Sequence, residues 1–361
     1  MSVVNVKASR DYKVTIGSGV ISQVGTILKD VAPGITKALV VSDTNTKALY
    51  ADKVKALIEA EGIEVSEYTF EAGEQSKNID TIAAMWGVMA KAGFTRTDAI
   101  VSVGGGVAGD MSGFAAATFL RGIKVVQVPT SLLAMVDACV GGKTGIDLKE
   151  GKNLVGAFHQ PSAVIEDADF LASLSDEVFT EGMAEVIKYA CIMDTELYEI
   201  LKEHSSEGIA IRDNSELMDR IVTKCVSDKA YVIEVDEHDN GLRQTLNFGH
   251  TIGHVIERNS HFQLAHGVCV AKGMGIILDA GVAAGRIDKE EADKMKDLIA
   301  AYGLPVQDTI TPEDAVSGAL NDKKKRGNTI SLIVVDKIGE AQIVKMTPDD
   351  LLAFLKGGAT A

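Results

Sequence analysis

The 361-residue sequence has only four cysteines, Cys139, Cys191, Cys225 and Cys269, and no CxxC pair. Four scattered thiols are too sparse for a disulfide framework in so long a chain, so they are expected to be reduced, buried and mostly structural. No apolar run approaches the roughly 18 residues that span a bilayer. The N-terminus, Met1-Ser-Val-Val-Asn-Val-Lys7, lacks the basic start and apolar core of a signal peptide. The expected location is therefore cytoplasmic, with no membrane partner. Positive charge is short as well: 36 Lys and Arg face 51 Asp and Glu, for a net charge of -15. That balance argues against a nucleic-acid partner, whose affinity comes mostly from Lys and Arg. An anionic small molecule would have to be captured by a local basic cluster. Internal repeats and low-complexity segments are missing too, and 46% hydrophobic with 24% charged residues is an ordinary globular composition.

What is present suits two domains. From residue 36 to about Pro129, short β-branched runs (38–43, 63–65, 99–103, 124–128) alternate with helical patterns (51–61, 78–92). Such alternation gives a parallel sheet with crossover helices. From about Ser175 to Leu320 the pattern is almost wholly helical, over 176–202, 213–234, 249–258, 267–285 and 288–302, before a hairpin over 329–344 and a last short helix. The expected architecture is an α/β domain with a parallel Rossmann-like sheet over 1–174 and a mainly α-helical domain over 175–361. The Gly/Pro-punctuated stretch 141–161 lies between them, where the cleft of a two-domain enzyme would be.

Gly104-Gly-Gly106-Val107-Ala-Gly109 follows a strand and opens a helix, so it satisfies GxGxxG, a turn that brings backbone N–H groups to a pyrophosphate. The acid usually found about 20 residues later is missing, since Lys124-Val-Val-Gln-Val128 stands there. Asp43, ending the first of the alternating strands, could reach a ribose from the neighbouring strand tip; the competing reading is an Asp that caps the next helix. Gly142-Lys-Thr144 resembles the end of a phosphate-binding ATPase loop, but Asp137 stands where that loop needs its first glycine.

In the helical half, Glu185 and Lys188 are one turn apart, as a site or as an ordinary solvated ion pair. Arg243, Asn247, His250 and His254 recur at spacings of four, three and four on a largely apolar helical stretch, and would line one face. Catalytic zinc commonly takes three protein ligands from His, Cys and carboxylate. Glu185, His250 and His266 would make such a set, and so could a pair of His250 with His254. Spacing leaves the two open.

Taken together, Gly73-Glu-Gln-Ser-Lys77, the 104–110 loop, Phe119-Leu-Arg-Gly122, Val128-Pro-Thr-Ser131, Asp137, Val140-Gly-Gly-Lys-Thr144, Gly151-Lys-Asn153, Gly182-Met-Ala-Glu-Val-Ile-Lys188, Leu246-Asn-Phe-Gly-His-Thr251, His266-Gly267 and Asp322-Lys-Lys324 resemble the 3-dehydroquinate synthase family. They run in family order from about residue 40 to 325. The resemblance implies zinc, or cobalt or another divalent metal, on Glu185, His250 and His266, and releases His254 for substrate. It implies NAD on Asp43, Glu74, Lys77, Gly105, Gly106, Val107, Asp110, Thr130 and Ser131. It assigns Arg121, Asp137, Lys143, Lys152, Asn153, Lys188, Lys229, Arg243, Asn247, His254 and Lys324 to a pocket for a phosphorylated sugar acid. Here is the expected basic cluster. Departures from the family pattern, Ala138-Cys139 where small serines are commoner, Asp147 where Asn is usual, and no acid after His266-Gly267, touch only the surroundings of those residues.

The implied chemistry is transient oxidation of a substrate hydroxyl by NAD with metal assistance, loss of phosphate, return of the hydride and aldol closure to a carbocycle, with no net redox change. The resemblance further implies a two-fold dimer in which Arg121 reaches the partner's site. Another sugar-phosphate cyclase would have less reason for Arg243 and Lys229 together. A metal-dependent polyol dehydrogenase would release NADH and has no need of the basic cluster. A nucleotide-sensing regulator would have no use for Glu185, His250 and His266.

Overall fold

In the computed structural model, residues 1–323 and 329–358 are described. The chain forms two compact units: Met1–Leu174 with Arg212–Glu237, and Ser175–Ile211 with His238–Ala361. This corrects the expected single cut after residue 174. The helix Ser215–Val235 packs on the first strand of the first unit, because its buried residues Leu217, Met218, Ile221, Val222 and Cys225 give it an apolar stripe that the sheet covers. Lys229 accordingly belongs to the sheet unit.

That unit carries strands β1 (Ser2–Val6), β2 (Tyr12–Ile16), β3 (Lys37–Asp43), β4 (Glu64–Phe70), β5 (Ala99–Gly104), β6 (Lys124–Pro129), β7 (Lys143–Leu148), β8 (Gly151–Phe158) and β9 (Ala163–Glu166). Seven of them make one sheet in the order β1-β2-β9-β6-β5-β3-β4, parallel throughout except for β1 against β2. Residues 99–104 of β5 are all buried, as expected where both faces of a parallel sheet are covered. Leu39, Val41, Ile100 and Val125 pack there against Ile82, Met85, Met89, Met111 and Phe114 from the crossover helices. The order reverses between β3 and β5, and a doubly wound sheet binds ligands at the carboxyl ends beside that reversal. The stretch 141–161, read from the sequence only as lying between the two halves, folds as the antiparallel hairpin β7–β8 of the first unit.

The second unit is mainly helical: Asp176–Ile192, Thr195–Glu203, His250–Asn259, His266–Ala283, Lys289–Ala301, Pro312–Lys323 and Pro348–Leu355, with β10 (Ile330–Lys337) pairing β11 (Glu340–Met346). The expected helix 176–202 breaks at Met193, because the Asp194 side chain caps a new helix by accepting from the N–H of Leu197 at 2.9 Å. His266–Ala283 is 18 residues long and apolar enough by length and composition to cross a membrane, which the run-length reading above did not count. Most of it is buried inside the unit, as in a core helix.

Candidate functional site

The sheet unit gathers its candidate residues at the carboxyl ends of β3, β5 and β6. Gly105 and Gly106 open the helix Gly106–Thr118, with Val107 in its first turn, and the N–H of Thr130 after β6 donates to the Gly104 carbonyl at 3.0 Å. A Cβ on Gly105 would stand 3.4 Å from the Ser131 hydroxyl. Asp43 meets both readings made of it. Its Oδ1 accepts from the N–H groups of Asn45 and Thr46, at 2.8 and 2.9 Å, as a cap does. Its Oδ2 faces Gly104, where a Cβ would approach to 3.5 Å.

Beside these loops lies a charged group. The Lys77 ammonium, 5% exposed, donates to Asp110 Oδ2 and to Asn153 Oδ1, each at 2.6 Å. Glu74 stands 3.9 Å from Lys77 and 3.8 Å from Lys152. Burial works against charge on Lys77, but Asp110 and Glu74 outweigh it and hold its pKa above the ordinary value. Burial raises Asp110 despite the same lysine. Asn153 has a left-handed backbone, φ 54°, which asparagine tolerates, and its N–H donates to Asp147 at 2.7 Å. Thus Asp147 fixes the turn that presents Asn153 to Lys77. Farther along, Lys229 binds Asp137 through Oδ1 at 2.6 Å and through the main-chain carbonyl.

The helical unit builds a different kind of centre. Glu185 and Lys188, on Asp176–Ile192, are 0% and 1% exposed, so the solvated-pair reading is excluded. The ammonium of Lys188 binds Glu185 Oε2. Glu185 Oε1 is buried with no hydrogen-bond partner, yet His250 Nε2 lies 3.4 Å and His266 Nε2 3.6 Å from it. Ligand atoms 2.0–2.2 Å from a tetrahedral ion stand about 3.3–3.6 Å apart. A carboxylate oxygen and two imidazole nitrogens at that mutual spacing fit a divalent cation better than they fit one another.

Glycine makes the arrangement possible at two points. Gly249, at φ 80°, turns the chain into the helix His250–Asn259, and a Cβ on it would stand 2.5 Å from the Val270 carbonyl. Gly267 lets the start of His266–Ala283 close on the Glu181 backbone, where a Cβ would meet the carbonyl at 2.1 Å. The Gly249 turn also corrects the expectation that Arg243, Asn247, His250 and His254 share one helical face. Arg243 and Asn247 lie in the separate 3-10 helix Leu242–Asn247, Arg243 buried and Asn247 half-buried.

Burial would push Glu185 toward protonation, but Lys188 and His250 hold its carboxyl well below the usual range. Burial keeps His250 below its ordinary pKa, hence neutral as a ligand must be. On His266, burial opposes charge, yet the neighbouring Glu185 and Glu257 carboxylates outweigh it and raise the imidazole to about 10, so a metal would bind there by displacing a proton. The His254 ring is within 5.5 Å of His250 and 5.8 Å of His266, centre to centre. A second possible set, His254, Glu257 and His266, shares one histidine with the first.

Two candidates are exposed: Arg121, in a turn where Leu120, Arg121 and Gly122 all have positive φ, and Lys143 at the start of β7. Lys324 lies outside the described residues. Sequence reasoning missed Glu257, although it follows His254 by three residues and His250 by seven, spacings that keep it on their face of the helix.

The 3-dehydroquinate synthase N-terminal family model matches residues 67–181, and the 3-dehydroquinate synthase C-terminal model matches 182–325. A curated 3-dehydroquinate synthase from Clostridium acetobutylicum is 40% identical over 350 residues, covering 96% of both chains. Among solved structures, a 2-epi-5-epi-valiolone synthase from Streptomyces hygroscopicus with NAD+ and Zn2+ bound has a TM-score of 0.86 at 25% identity, covering 99% of this chain and 98% of its own. A 2-deoxy-scyllo-inosose synthase complexed with carbaglucose-6-phosphate, NAD+ and Co2+ also scores 0.86, at 22% identity, covering 99% and 100%.

Proposed function

Because the chain belongs to the 3-dehydroquinate synthase family, we propose that it converts 3-deoxy-D-arabino-heptulosonate 7-phosphate to 3-dehydroquinate and phosphate, as a carbon–oxygen lyase of aromatic amino acid biosynthesis. The observation that carries this reading is the Glu185, His250 and half-buried His266 set with its unpartnered, buried carboxylate oxygen, one helical turn from a buried lysine. A regulator has no use for that centre.

When bound, NAD takes up and returns a hydride, and a divalent ion, zinc or cobalt, lowers the pKa of the hydroxyl that is oxidised. The residues do the rest. Glu185, His250 and His266 hold the ion. Gly105, Gly106, Val107, Thr130 and Ser131 offer backbone and hydroxyl groups to the dinucleotide, Asp43 the ribose acceptor, and Asp110 with Glu74 keeps Lys77 charged. Lys188 neutralises Glu185 and adds positive charge where an anionic substrate must be drawn in. Arg243 suits a carboxylate bidentately, Lys143, Lys152, Lys229 and Lys324 suit the phosphate, and Asn153, Asn247, His254 and Asp137 suit hydroxyls and their protons.

Cytoplasmic location and a homodimer complete the reading. The dimer is supported by Leu120, Leu154 and Phe158, 40%, 58% and 48% exposed on the sheet unit, as apolar surface for a second copy. Incubating the metal-loaded protein and NAD with the phosphorylated acid tests the activity. Phosphate release without NADH accumulation is expected. Stoichiometric NADH build-up would instead mark a dehydrogenase, and absence of both would sink the assignment.

A further inference from the structure

The two histidines of the metal set are oriented in parallel ways, but by different acceptors. His250 turns Nε2 toward Glu185 while its Nδ1 lies 3.1 Å from the Phe248 carbonyl. His266 does the same while its Nδ1 lies 3.4 Å from Glu257 Oε2. Phe248 is main chain and next to Gly249, so the turn fixes it. Glu257 is a side chain, 6% exposed, whose own backbone carbonyl accepts from the Ser260 hydroxyl at 2.7 Å and from the Phe262 N–H at 2.9 Å. The backbone that carries the carboxylate is thus fixed at the end of its helix. His266 needs such a brace more than His250 does, since its side chain is 29% exposed against 11%.

We infer that Glu257 is a positioning residue for the metal. It accepts the Nδ1–H of His266, which fixes the tautomer that leaves Nε2 free and makes that nitrogen the more basic donor. The alternative set of His254, Glu257 and His266 is then not a second metal site, because the Glu257 oxygen nearest to His266 serves its back nitrogen. This inference rests on the metal reading above. A ligand's carboxylate partner typically contributes 10- to 100-fold in metal affinity.

The test is titration of the metal-free protein with Zn2+ against a chromophoric chelator, for the parent, E257A, E257Q, E185A and H254A, with Co2+ absorption spectra of the same proteins. Expected are a Zn2+ Kd about 10- to 100-fold weaker for E257A, partial recovery in E257Q because its amide oxygen still accepts the Nδ1–H, loss of binding in E185A, and none in H254A. The Co2+ bands of E257Q should shift from those of the parent, a readout that a purely structural role would leave in place. If E257A fails to fold, the E257Q titration and spectrum carry the test. An E257A affinity equal to the parent's, or E257Q as weak as E257A, overturns the inference while leaving the ligand set intact. Loss of Zn2+ in H254A and E257A with retention in E185A overturns the inference and the ligand set together.

Discussion

The two units handle buried charge in opposite ways. In the sheet unit the two buried candidate cations already have their anions: Lys77 with Asp110, Lys229 with Asp137, both at 2.6 Å and with the acid partly exposed. In the helical unit Lys188 occupies one oxygen of a wholly buried Glu185 and leaves the other unsatisfied between two imidazoles. A satisfied network keeps its shape without ligand, whereas an orphaned buried oxygen asks for a cation. The sheet unit therefore reads as preformed for a dinucleotide, and the helical unit as completed by metal.

The largest effect expected from breaking this contrast is in Glu185→Gln. The several kcal/mol that a Lewis acid contributes, at about 1.4 kcal/mol per tenfold, correspond to on the order of 10³-fold lower kcat. Metal analysis should find the variant empty. Retained zinc with lost activity would show that the orphaned oxygen was not waiting for an ion.

Nearly complete loss is also expected of Arg121→Ala and Lys188→Ala alone, and their combination tests whether the exposed Arg121 serves a partner. Unfolded, mixed and refolded together, the two should recover about a quarter of parental activity, since roughly half the dimers then hold one intact site of two. Verified heterodimers with no recovery would return Arg121 to its own subunit.

Next in size is a stability effect confined to the helical unit. Lys188→Met leaves Glu185 as an uncompensated buried charge, at a cost of about 3–5 kcal/mol in the metal-free protein. Saturating zinc should reverse much of it, and denaturant unfolding with and without metal measures the difference. An equal loss in both states would mean that ion and lysine do not share the carboxylate.

In the sheet unit the matching change is milder. Asp43→Asn keeps Oδ1 as acceptor for the Asn45 and Thr46 N–H groups, so the turn survives, while a charge-assisted ribose bond is lost. About a tenfold weaker NAD affinity is expected by calorimetry, from the roughly 1.5 kcal/mol such a bond contributes. No change would leave Asp43 as a cap alone.

Legibility in the sequence followed the same division. The nucleotide loop could be read because a strand, a glycine turn and a helix are contiguous, and short β-branched runs between helical patterns located β3, β5 and β6 closely. The edge strand β1 and its neighbour β2 escaped because they precede the alternating region, and the hairpin β7–β8 because the glycines and proline of 141–161 read as punctuation between the two halves. The metal set was only half legible: His250 and His266 lie on different helices, and Glu185 on a third, brought together by close backbone approaches at Gly249 and Gly267 that leave no periodic trace. Spacing even misled at Arg243 and Asn247, where Gly249 breaks the helix that the pattern assumed. Local rules see one element at a time, and this centre is made by three.

The smallest expected effect probes an exception to the contrast, a carboxyl in the sheet unit with no hydrogen-bond partner. Glu166, at the end of β9, is 0% exposed, and neither of its oxygens is hydrogen bonded. Burial pushes its pKa well above the ordinary value, and the charge of Lys229 only partly opposes that. A carboxyl raised in the folded state binds a proton that the unfolded chain releases. It therefore lowers stability progressively as pH rises from the unfolded value, about 4.3, toward the folded one. Asp98 is the opposite case in the same unit: burial raises it, but hydrogen bonds from the Thr95, Thr36 and Lys37 backbone outweigh burial and lower its pKa, so its contribution is lost only as pH falls. Glu166→Gln keeps the shape and removes the titration. The variant should match the parent below about pH 4 and become the more stable of the two as pH rises toward 8, by chemical denaturation across that range. Parallel pH profiles for parent and variant would mean that Glu166 is ionised in the fold and that Lys229, shared with Asp137, also balances it.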